Sequence, residues 1–333
     1  MSNLFDKIQG QDRPLKILKR AIESNRIPTA YLFTGPPGCG RKKAAIAMAA
    51  SLNCETGGLA CEVCSSCKQH TSGTYLDLNI TEPAPGKTGI LLDQIKSVIG
   101  KAILMPMQGK FSVFVVDGAH TMNMEAANTF LKTLEEPPAT SRFILIAPNK
   151  DSVLPTISSR CQTLSFSPLG RNIVRKLLER EGIVGERAEL LSSMARGSME
   201  RALTYQSEEV PEKLANEFEP LASLYKSDHK KLLDLAERWG RNREEALGIL
   251  DFMVQWYRDM MILSLEGPED QVIHISHLPE LQEGATALNT GSLSAILEAI
   301  EDARDDLNKN TNVELTLDRL LLTIRSYAPV QPI

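Results

Sequence analysis

Residues 30–52 contain the pattern that most restricts the folds open to this 333-residue chain, AYLFTGPPGCGRKKAAIAMAASL. The apolar run at positions 31–33 is typical of a buried strand, and the alanine-rich stretch at 41–52 predicts a helix. Three glycines between them allow tight turns and a close approach of the backbone to a phosphate; they are Gly35, Gly38 and Gly40. Unpaired N–H groups and the positive dipole end of the following helix favour an anion there. This arrangement indicates a phosphate-binding loop.

The end of the loop departs from its working form, G-x-x-x-x-G-K-[ST]. Arg41 stands where a lysine would reach the outer phosphates, and Lys42 stands where a hydroxyl would hold magnesium. Shifting the frame by one residue does not restore the pattern, because Lys43 supplies no hydroxyl either. The loop therefore predicts the scaffold of an ATPase with damaged catalytic chemistry, and it leaves ATP binding open.

Strand and helix patterns alternate through the first part of the chain. We predict buried strands at residues 111–116 and 143–147, further strands at 76–80 and 163–166, and helices from about Pro14, at 91–104 and at 125–136. Such alternation indicates an α/β fold with a parallel sheet covered by helices on both faces. Helical periodicity dominates after Pro168, so we predict a first domain at residues 1–168, a small helical lid at 169–206 and an all-helical domain at 207–333, which begins with an acidic connector.

Charge and composition exclude some classes of function. A net charge of −5 argues against a protein that coats nucleic acid on its own. The N-terminus has no apolar signal core, and no run of about 18 apolar residues occurs, so we expect a soluble, cytoplasmic protein without a membrane partner.

Four of the six cysteines crowd together with the spacing C-x₆-C-x₂-C-x₂-C, which is typical of a metal site rather than a disulfide framework. They are Cys54, Cys61, Cys64 and Cys67. Four thiolates suit a tetrahedral, structural zinc ion without an open coordination position. An iron–sulfur cluster and unliganded reduced thiols are the alternatives, and the spacing favours a zinc module at residues 54–67.

Two further residues are candidates for phosphate chemistry. Asp117 ends the strand at 111–116 and would hold the magnesium shell, although Gly118 stands where a water-polarising glutamate usually follows. The alternative is a core strand that ends in a turn aspartate. Arg160, in the tripeptide Ser-Arg-Cys at 159–161, would stabilise charge on a phosphoryl group across a subunit interface, or be a solvated surface charge. The tripeptide alone does not distinguish the two.

Together these motifs resemble the clamp-loader branch of the AAA+ ATPases. The resemblance covers roughly the first half of the chain and rests on GQD at 10–12, the loop at 30–40, the four-cysteine insert, NTFLKTLEEPP at 128–138, LPTI at 154–157 and SRC at 159–161. Residues 197–203, GSMERAL, resemble the second sensor motif of the lid, with Arg201 as its arginine at a spacing that differs from that of active subunits. The C-terminal third matches by position and helical character only.

The resemblance implies an AAA+ P-loop domain with a zinc insert, a lid and a helical collar that holds the subunit in its complex. It also implies a role in DNA replication, within the DNA polymerase III holoenzyme, because a loader opens the sliding clamp and places it on primed DNA. The motor subunits, gamma or tau, bind ATP. A subunit with a degraded loop acts instead as a stator, which is not an ATPase on its own and supplies Arg160 to a neighbouring ATP site. The implied partners are the gamma or tau ATPases, delta, and through them the clamp and primed DNA.

Two other functions compete with the stator. An active gamma- or tau-like ATPase requires an intact loop, and the residues at 41 and 42 disfavour it. A zinc-dependent nucleic-acid-binding module is disfavoured by the net acidity and by the burial expected of a compact four-cysteine site. The predicted degenerate nucleotide site comprises Gly35, Gly38, Gly40, Arg41, Lys42, Asp117 and Arg201.

Overall fold

The computed structural model describes residues 3–84, 87, 89–207, 218–274, 277–309 and 311–327. The chain divides into two compact units, Met1–Leu203 and Thr204–Ile333. The division into a 1–168 domain, a lid and a third domain stays a prediction. Most of the predicted acidic connector, residues 208–217, lies outside the described residues.

A five-stranded parallel sheet forms the centre of the first unit, as expected of an AAA+ fold. Its order is β2-β3-β4-β1-β5, and every neighbouring pair is parallel. In this register Thr34 lies beside Ala147 and Asp117 beside Ile146, so the carboxyl ends of three strands share one edge. The strands are β1 (Ala30–Thr34), β2 (Leu78–Thr81), β3 (Ser112–Asp117), β4 (Ser141–Ala147) and β5 (Gln162–Ser165).

Helices flank this sheet. The predicted helix at residues 41–52 is confirmed, and the other predicted helices agree to within a few residues. The helices are α1 (Asp12–Glu23), α2 (Arg41–Leu52), α3 (Ser65–Ser72), α4 (Leu92–Ala102), α5 (Met124–Glu135), α6 (Pro155–Ser158), α7 (Arg171–Arg180), α8 (Gly185–Met194) and α9 (Met199–Ser207), with 3₁₀ turns at Leu4–Lys7 and Ala119–Thr121. The division between the units falls within α9.

One face of the sheet carries an apolar cluster. Phe114 of β3 and Phe143 of β4 stack with ring centroids 5.4 Å apart, and Phe130 of α5 meets Phe143 edge to face. Leu134 of α5 and Ile157 of α6 are buried in the same cluster. Strands that are buried along their length read as continuous apolar runs, which explains why the sequence predicted them.

All regular secondary structure in the described part of the second unit is helical. Helix α12 packs against α13 and α14, α11 packs against α15, and Trp256 of α12 is fully buried. The helices are α10 (Phe218–Ala222), α11 (His229–Trp239), α12 (Arg243–Ser264), α13 (Leu278–Ala287), α14 (Thr290–Asn308) and α15 (Val313–Ser326), with 3₁₀ turns at Leu224–Lys226 and Glu269–Gln271. Over the described part of the chain, no helix has both the length and the apolar character needed to cross a bilayer.

Candidate functional site

A cavity of about 670 Å³ opens at the carboxyl edge of the sheet, where α/β folds bind their ligands. The phosphate-binding loop, the end of β3, the segment around Ile8 and the start of α9 form its walls. Five predicted site residues line it, namely Gly38, Gly40, Arg41, Lys42 and Asp117. Three others, Gly35, Arg160 and Arg201, are not among the lining residues that the structure describes.

The loop is shaped by glycines with left-handed backbone angles. Gly35 has a φ of 145°, and a Cβ there would lie 2.3 Å from the carbonyl oxygen of Phe166. Gly38 has a φ of 68°, and a Cβ there would lie 2.5 Å from Ser198 Oγ. Both positions therefore require glycine for backbone conformation and for space. The loop is packed between β5 and the segment that leads into α9.

Arg41 contacts the protein itself. Its Nη1 donates a hydrogen bond to the carbonyl oxygen of Ala147, the last residue of β4, at 2.5 Å. A lysine in a working loop extends toward the outer phosphates of a nucleotide. The guanidinium instead connects the first residue of α2 to the edge of the sheet.

Lys42 also has an internal partner. Its Nζ forms an ion pair with the carboxylate of Glu82, which follows β2, and both side chains are 44% exposed. Nothing in the local sequence indicated this pairing, because the two residues are 40 positions apart. The position that holds magnesium in working loops thus carries a cation.

The acid and the imidazole at the cavity have shifted pKa values. Burial raises the pKa of Asp117, and the nearby charge of Lys42 opposes that shift. Burial lowers the pKa of His120, and the charge of Arg41 lowers it further. Neutral His120 is therefore the dominant form at neutral pH, while the environment disfavours the carboxylate form of Asp117.

Gln11 ties the loop to the chain that follows the sheet. This side chain is 2% exposed, and its Nε2 donates to the carbonyl oxygens of Cys39 at 3.1 Å and Ser167 at 2.7 Å. Its Oε1 accepts from the N–H of Ser167 at 3.0 Å. The sequence placed Gln11 within a motif without a role, because its partners are remote along the chain.

The segment before and into α9 covers the loop. The N–H of Met199 donates to the carbonyl oxygen of Gly38 at 3.2 Å. The N–H of Arg201 donates to Ser198 Oγ at 3.1 Å, within the same turn. The predicted second sensor therefore contacts the loop backbone through Met199. The role of the Arg201 side chain stays a prediction.

Arg160 lies away from this cavity, directly after α6. Its Nη2 forms an ion pair with the carboxylate of Glu135, the last residue of α5, and its Nη1 donates to the carbonyl oxygen of Thr156 at 2.8 Å. The side chain of Arg160 is 33% exposed and that of Glu135 is 45% exposed. Two motifs that the sequence listed separately, the run ending EEPP and the tripeptide SRC, therefore meet in space.

The four predicted cysteines form one cluster. The Sγ atoms of Cys54, Cys61, Cys64 and Cys67 all lie within 4.8 Å of one another. Tetrahedral zinc with Zn–S bonds of about 2.3 Å requires S···S separations of about 3.8 Å, so the cluster fits such an ion after small rotations. Backbone N–H groups donate to two of the sulfurs, from Cys64 to Cys61 and from Cys67 to Cys64, each at 3.4 Å.

The hydrogen bonds to Cys61 favour its thiolate form, whereas burial raises the pKa of Cys67. Backbone N–H groups of Cys64 and Val63 lower the pKa of Cys61 to about 6, and thiolates are the form that binds metals. The cluster also contacts the N-terminal segment, since the N–H of Leu4 donates to the carbonyl oxygen of Ala60 at 3.2 Å. The metal module thus joins the end of α2 to the chain that precedes the cavity wall.

Comparisons with known proteins agree with the motifs. A family model described as DNA polymerase III, delta subunit, matches residues 10–170. The DNA polymerase III subunit delta′ of Bacillus subtilis strain 168 is 28% identical over 320 residues, which cover 95% of this chain and 96% of that protein. The tau subunit of Salmonella typhimurium strain LT2 is 35% identical over 208 residues, but these cover 60% of this chain and only 32% of that protein.

Among solved structures, a DNA polymerase III gamma-subunit-related protein of Thermotoga maritima MSB8 superposes with a TM-score of 0.41 and 21% identity, covering 94% of this chain and 99% of that one. The sequence similarities confirm the predicted resemblance to clamp loaders.

Proposed function

Because the chain belongs to the clamp-loader family of AAA+ proteins, we propose that it is a delta-prime-like stator. In this role it hydrolyses no ATP, supplies Arg160 to the ATP site of a neighbouring motor subunit, and helps the loader place the sliding clamp on primed DNA. Its partners are gamma or tau ATPases and delta, within the DNA polymerase III holoenzyme in the cytoplasm. The similarity to delta′ over nearly the whole chain supports this role over the shorter match to tau.

The observation that carries the proposal is the internal use of the two loop cations. Arg41 donates to the Ala147 carbonyl, and Lys42 pairs with Glu82. Phosphoryl transfer depends on positioning and on electrostatic stabilisation of the transferred group. A loop whose cations are engaged elsewhere, with no hydroxyl for magnesium and with Gly118 in place of a glutamate, lacks the groups for both.

The hydrogen bonds around the loop support a rigid role. Gln11 joins the loop to Ser167, and Met199 joins it to the start of α9. A motor opens and closes this region as it binds and releases nucleotide. In this chain buried side-chain and backbone hydrogen bonds hold the same region in place. Such contacts suit a subunit that moves little during the cycle of ATP binding and hydrolysis.

The metal proposal is a structural zinc ion on the four clustered cysteines. Their separation fits tetrahedral coordination, and Cys54 and Cys67 are buried. Four protein ligands leave no position for substrate, so the ion would stabilise the module rather than take part in chemistry. Purified protein is expected to contain one zinc ion per chain.

The first test measures ATP hydrolysis by the isolated chain. We expect the background rate, because the groups that position the phosphoryl group are absent. The alternative of a gamma- or tau-like ATPase predicts magnesium-dependent turnover that is lost in Asp117→Ala. Turnover of that kind would overturn the stator proposal.

The second test measures hydrolysis by the assembled loader that carries Arg160→Ala. A trans-acting arginine contributes about 10³–10⁵ in rate in other systems, diluted here because a loader has several ATP sites. We expect normal assembly and a clear loss of DNA- and clamp-stimulated turnover. The control is Arg26→Ala, which removes an exposed arginine of the same unit and should leave turnover unchanged. Wild-type turnover and clamp loading by an assembled Arg160→Ala complex would remove the proposed role of Arg160.

A further inference from the structure

We propose that Glu135 is the positioning residue of Arg160, holding the guanidinium in the orientation that a neighbouring phosphoryl group meets. The inference rests on the proposed function, because it gives a role to a second residue of the same trans-acting element. The two side chains form an ion pair between Arg160 Nη2 and Glu135 Oε1. No motor subunit is needed for this contact, so the side chain is arranged before assembly.

The contacts fix one side of the guanidinium and leave another exposed. Nη2 is directed at Glu135, while Nη1 donates to the carbonyl oxygen of Thr156 at 2.8 Å and to Ser159 Oγ at 3.4 Å. A guanidinium has five N–H donors in a planar fork, so these three partners do not exhaust it. With 33% of its side chain exposed, Arg160 retains donors for a phosphate oxygen.

Both partners stand on well-packed supports. Glu135 follows Leu134, which is 4% exposed, and Arg160 lies three residues after Ile157, which is fully buried. Leu134 and Ile157 belong to one apolar cluster, and Cys161 packs against it. The ion pair therefore joins two elements whose relative position is set by the core, which is what a site held to a fraction of an ångström requires.

The position of Glu135 on its helix points the same way. A carboxylate in the last turn of a helix lies at the negative end of the helix dipole, where cations are favoured. The ion pair with Arg160 offsets the repulsion between the Glu135 carboxylate and the negative end of the helix dipole. It also places the guanidinium near the C-terminal end of α5. Glu136, the next residue, is exposed and forms no ion pair within the described parts of the chain. Glu135 and Glu136 thus differ in the ion pair with Arg160, which only Glu135 forms within the described residues.

The ion pair is strong enough to orient the guanidinium of Arg160 but too weak to hold it permanently. Ion pairs with about half-exposed side chains are weak, so the carboxylate can share the guanidinium with a phosphate group. Its main effect is to reduce the number of rotamers that a long side chain samples before it binds. Loss of Glu135 should therefore lower the rate of the chemical step in the neighbouring site without preventing assembly.

The experiment compares assembled loaders that carry Glu135→Gln, Glu135→Asp or the control Glu136→Gln. Glu135→Gln should reduce kcat for DNA- and clamp-stimulated hydrolysis about two- to five-fold, with KM for ATP unchanged. Glu135→Asp should recover part of this loss because the charge is kept. Glu136→Gln should behave as wild type. Subunit composition, measured by native mass spectrometry, should be the same in all four loaders.

A double-variant cycle separates positioning from a general structural role. In an Arg160→Ala background, Glu135→Gln should cause no further loss, because its partner is gone. An equal further loss in that background, or wild-type kcat for Glu135→Gln while Arg160→Ala is impaired, would overturn the role of Glu135 alone. Wild-type kcat for Arg160→Ala would overturn both this inference and the proposed role of Arg160.

Discussion

Arg41 and Lys42 illustrate how a substitution can replace a ligand contact by an internal one. The guanidinium of Arg41 reaches the Ala147 carbonyl with a planar donor group, whereas a lysine at the same position would present a compact charge on a flexible stem. Lys42 brings a second cation to the magnesium position and pairs with Glu82. The two residues together leave the loop backbone intact while removing its side-chain chemistry.

Restoring these two residues should restore binding but not turnover. In Arg41→Lys/Lys42→Thr the loop again reads G-x-x-x-x-G-K-T, so Mg-ATP should raise the thermal midpoint more than it does in the wild type. At an Mg-ATP concentration of 100 times Kd, binding would add about 2.7 kcal/mol to the free energy of unfolding. The thermal midpoint would then rise by several degrees. Hydrolysis should stay at background, because Gly118 still replaces the glutamate. Lys43→Thr is the control, and an equal Mg-ATP shift in wild type and double variant would contradict the prediction.

Asp117 should make stability depend on pH in a defined direction. Burial raises its pKa in the folded state, so the fold disfavours the carboxylate relative to the unfolded chain. This unfavourable contribution is fully present above the folded pKa and disappears as the pH falls below the ordinary aspartate value of about 3.9.

Asp117→Asn should therefore resist urea slightly better than the wild type at pH 7. Its advantage should shrink toward pH 4. Asp93→Asn is the matched control, because the side chain of Asp93 is 96% exposed. It should leave the urea midpoint unchanged at pH 7 and at pH 4. A lower midpoint for Asp117→Asn at pH 7 would show that the carboxylate stabilises the fold instead.

At the scale of elements, the metal module connects two parts of the cavity region. Cys54 lies just after α2, the helix of the phosphate-binding loop, and Leu4 packs against the module. Lys7 forms an ion pair with Glu62 of the module at 2.7 Å and also lines the cavity. A metal ion on the cysteines would thus hold the N-terminal turn against the nucleotide fold.

Removing the metal should loosen that region selectively. Chelation, or Cys61→Ser, should remove the proposed zinc ion and speed hydrogen exchange at residues 4–8 and 54–72, because metal binding and local folding are coupled. Strands β3 and β4 should keep their protection, since their core does not involve the module. Cys161→Ser, outside the cluster, should keep its zinc. If hydrogen exchange at residues 4–8 were unchanged in the zinc-free protein, the metal would not stabilise the N-terminal turn.

Strands β1, β3 and β4 were predictable because their apolar runs are buried on both faces of the sheet. Helix α3 was not, because its buried residues, Ser66, Cys67 and His70, give no apolar periodicity. Its ends are set by the Cys64 side chain, which accepts from the Cys67 N–H, and by Gly73 in a left-handed conformation. Local capping therefore replaced hydrophobic patterning as the signal.

For the candidate site, local spacing predicted the loop glycines and the cysteine cluster, which lie within short stretches of sequence. The partners Glu82 of Lys42, Ser167 of Gln11 and Glu135 of Arg160 could not be predicted in this way. They are 40, 156 and 25 residues away, and only the packing of the sheet and helices brings them together.

At the scale of the whole molecule, the second unit exposes leucines on two of its helices. Leu315 and Leu322 of α15 are 66% and 37% exposed, and Leu233 of α11, a helix that packs against α15, is 46% exposed. Leu315 and Leu322 are seven residues apart and so lie on one side of their helix. Leu315 and Leu322 thus offer an exposed apolar strip that a subunit contact could cover. The collar role of this part of the chain stays a prediction.

The final prediction separates folding from assembly. A chain shortened to end at Ser207, the end of α9, keeps the sheet, its helices and the cysteine cluster, and it should fold and bind zinc. It should nevertheless fail to copurify with the motor subunits, because the predicted collar is missing. In the full chain, Leu315→Ser/Leu322→Ser should weaken assembly at least tenfold, since each buried leucine contributes about 1.5–3 kcal/mol. Exposed positions cost the fold little, so the double variant should keep its thermal midpoint.

Leu104→Ser is the control for those substitutions, because Leu104 is 63% exposed in the first unit and lies outside the predicted collar. That variant should join the loader as the wild type does. If the chain ending at Ser207 joined the loader normally, the contacts that hold this subunit would have to lie on the nucleotide-fold unit. The apolar residues of α11 and α15 would then require a different partner.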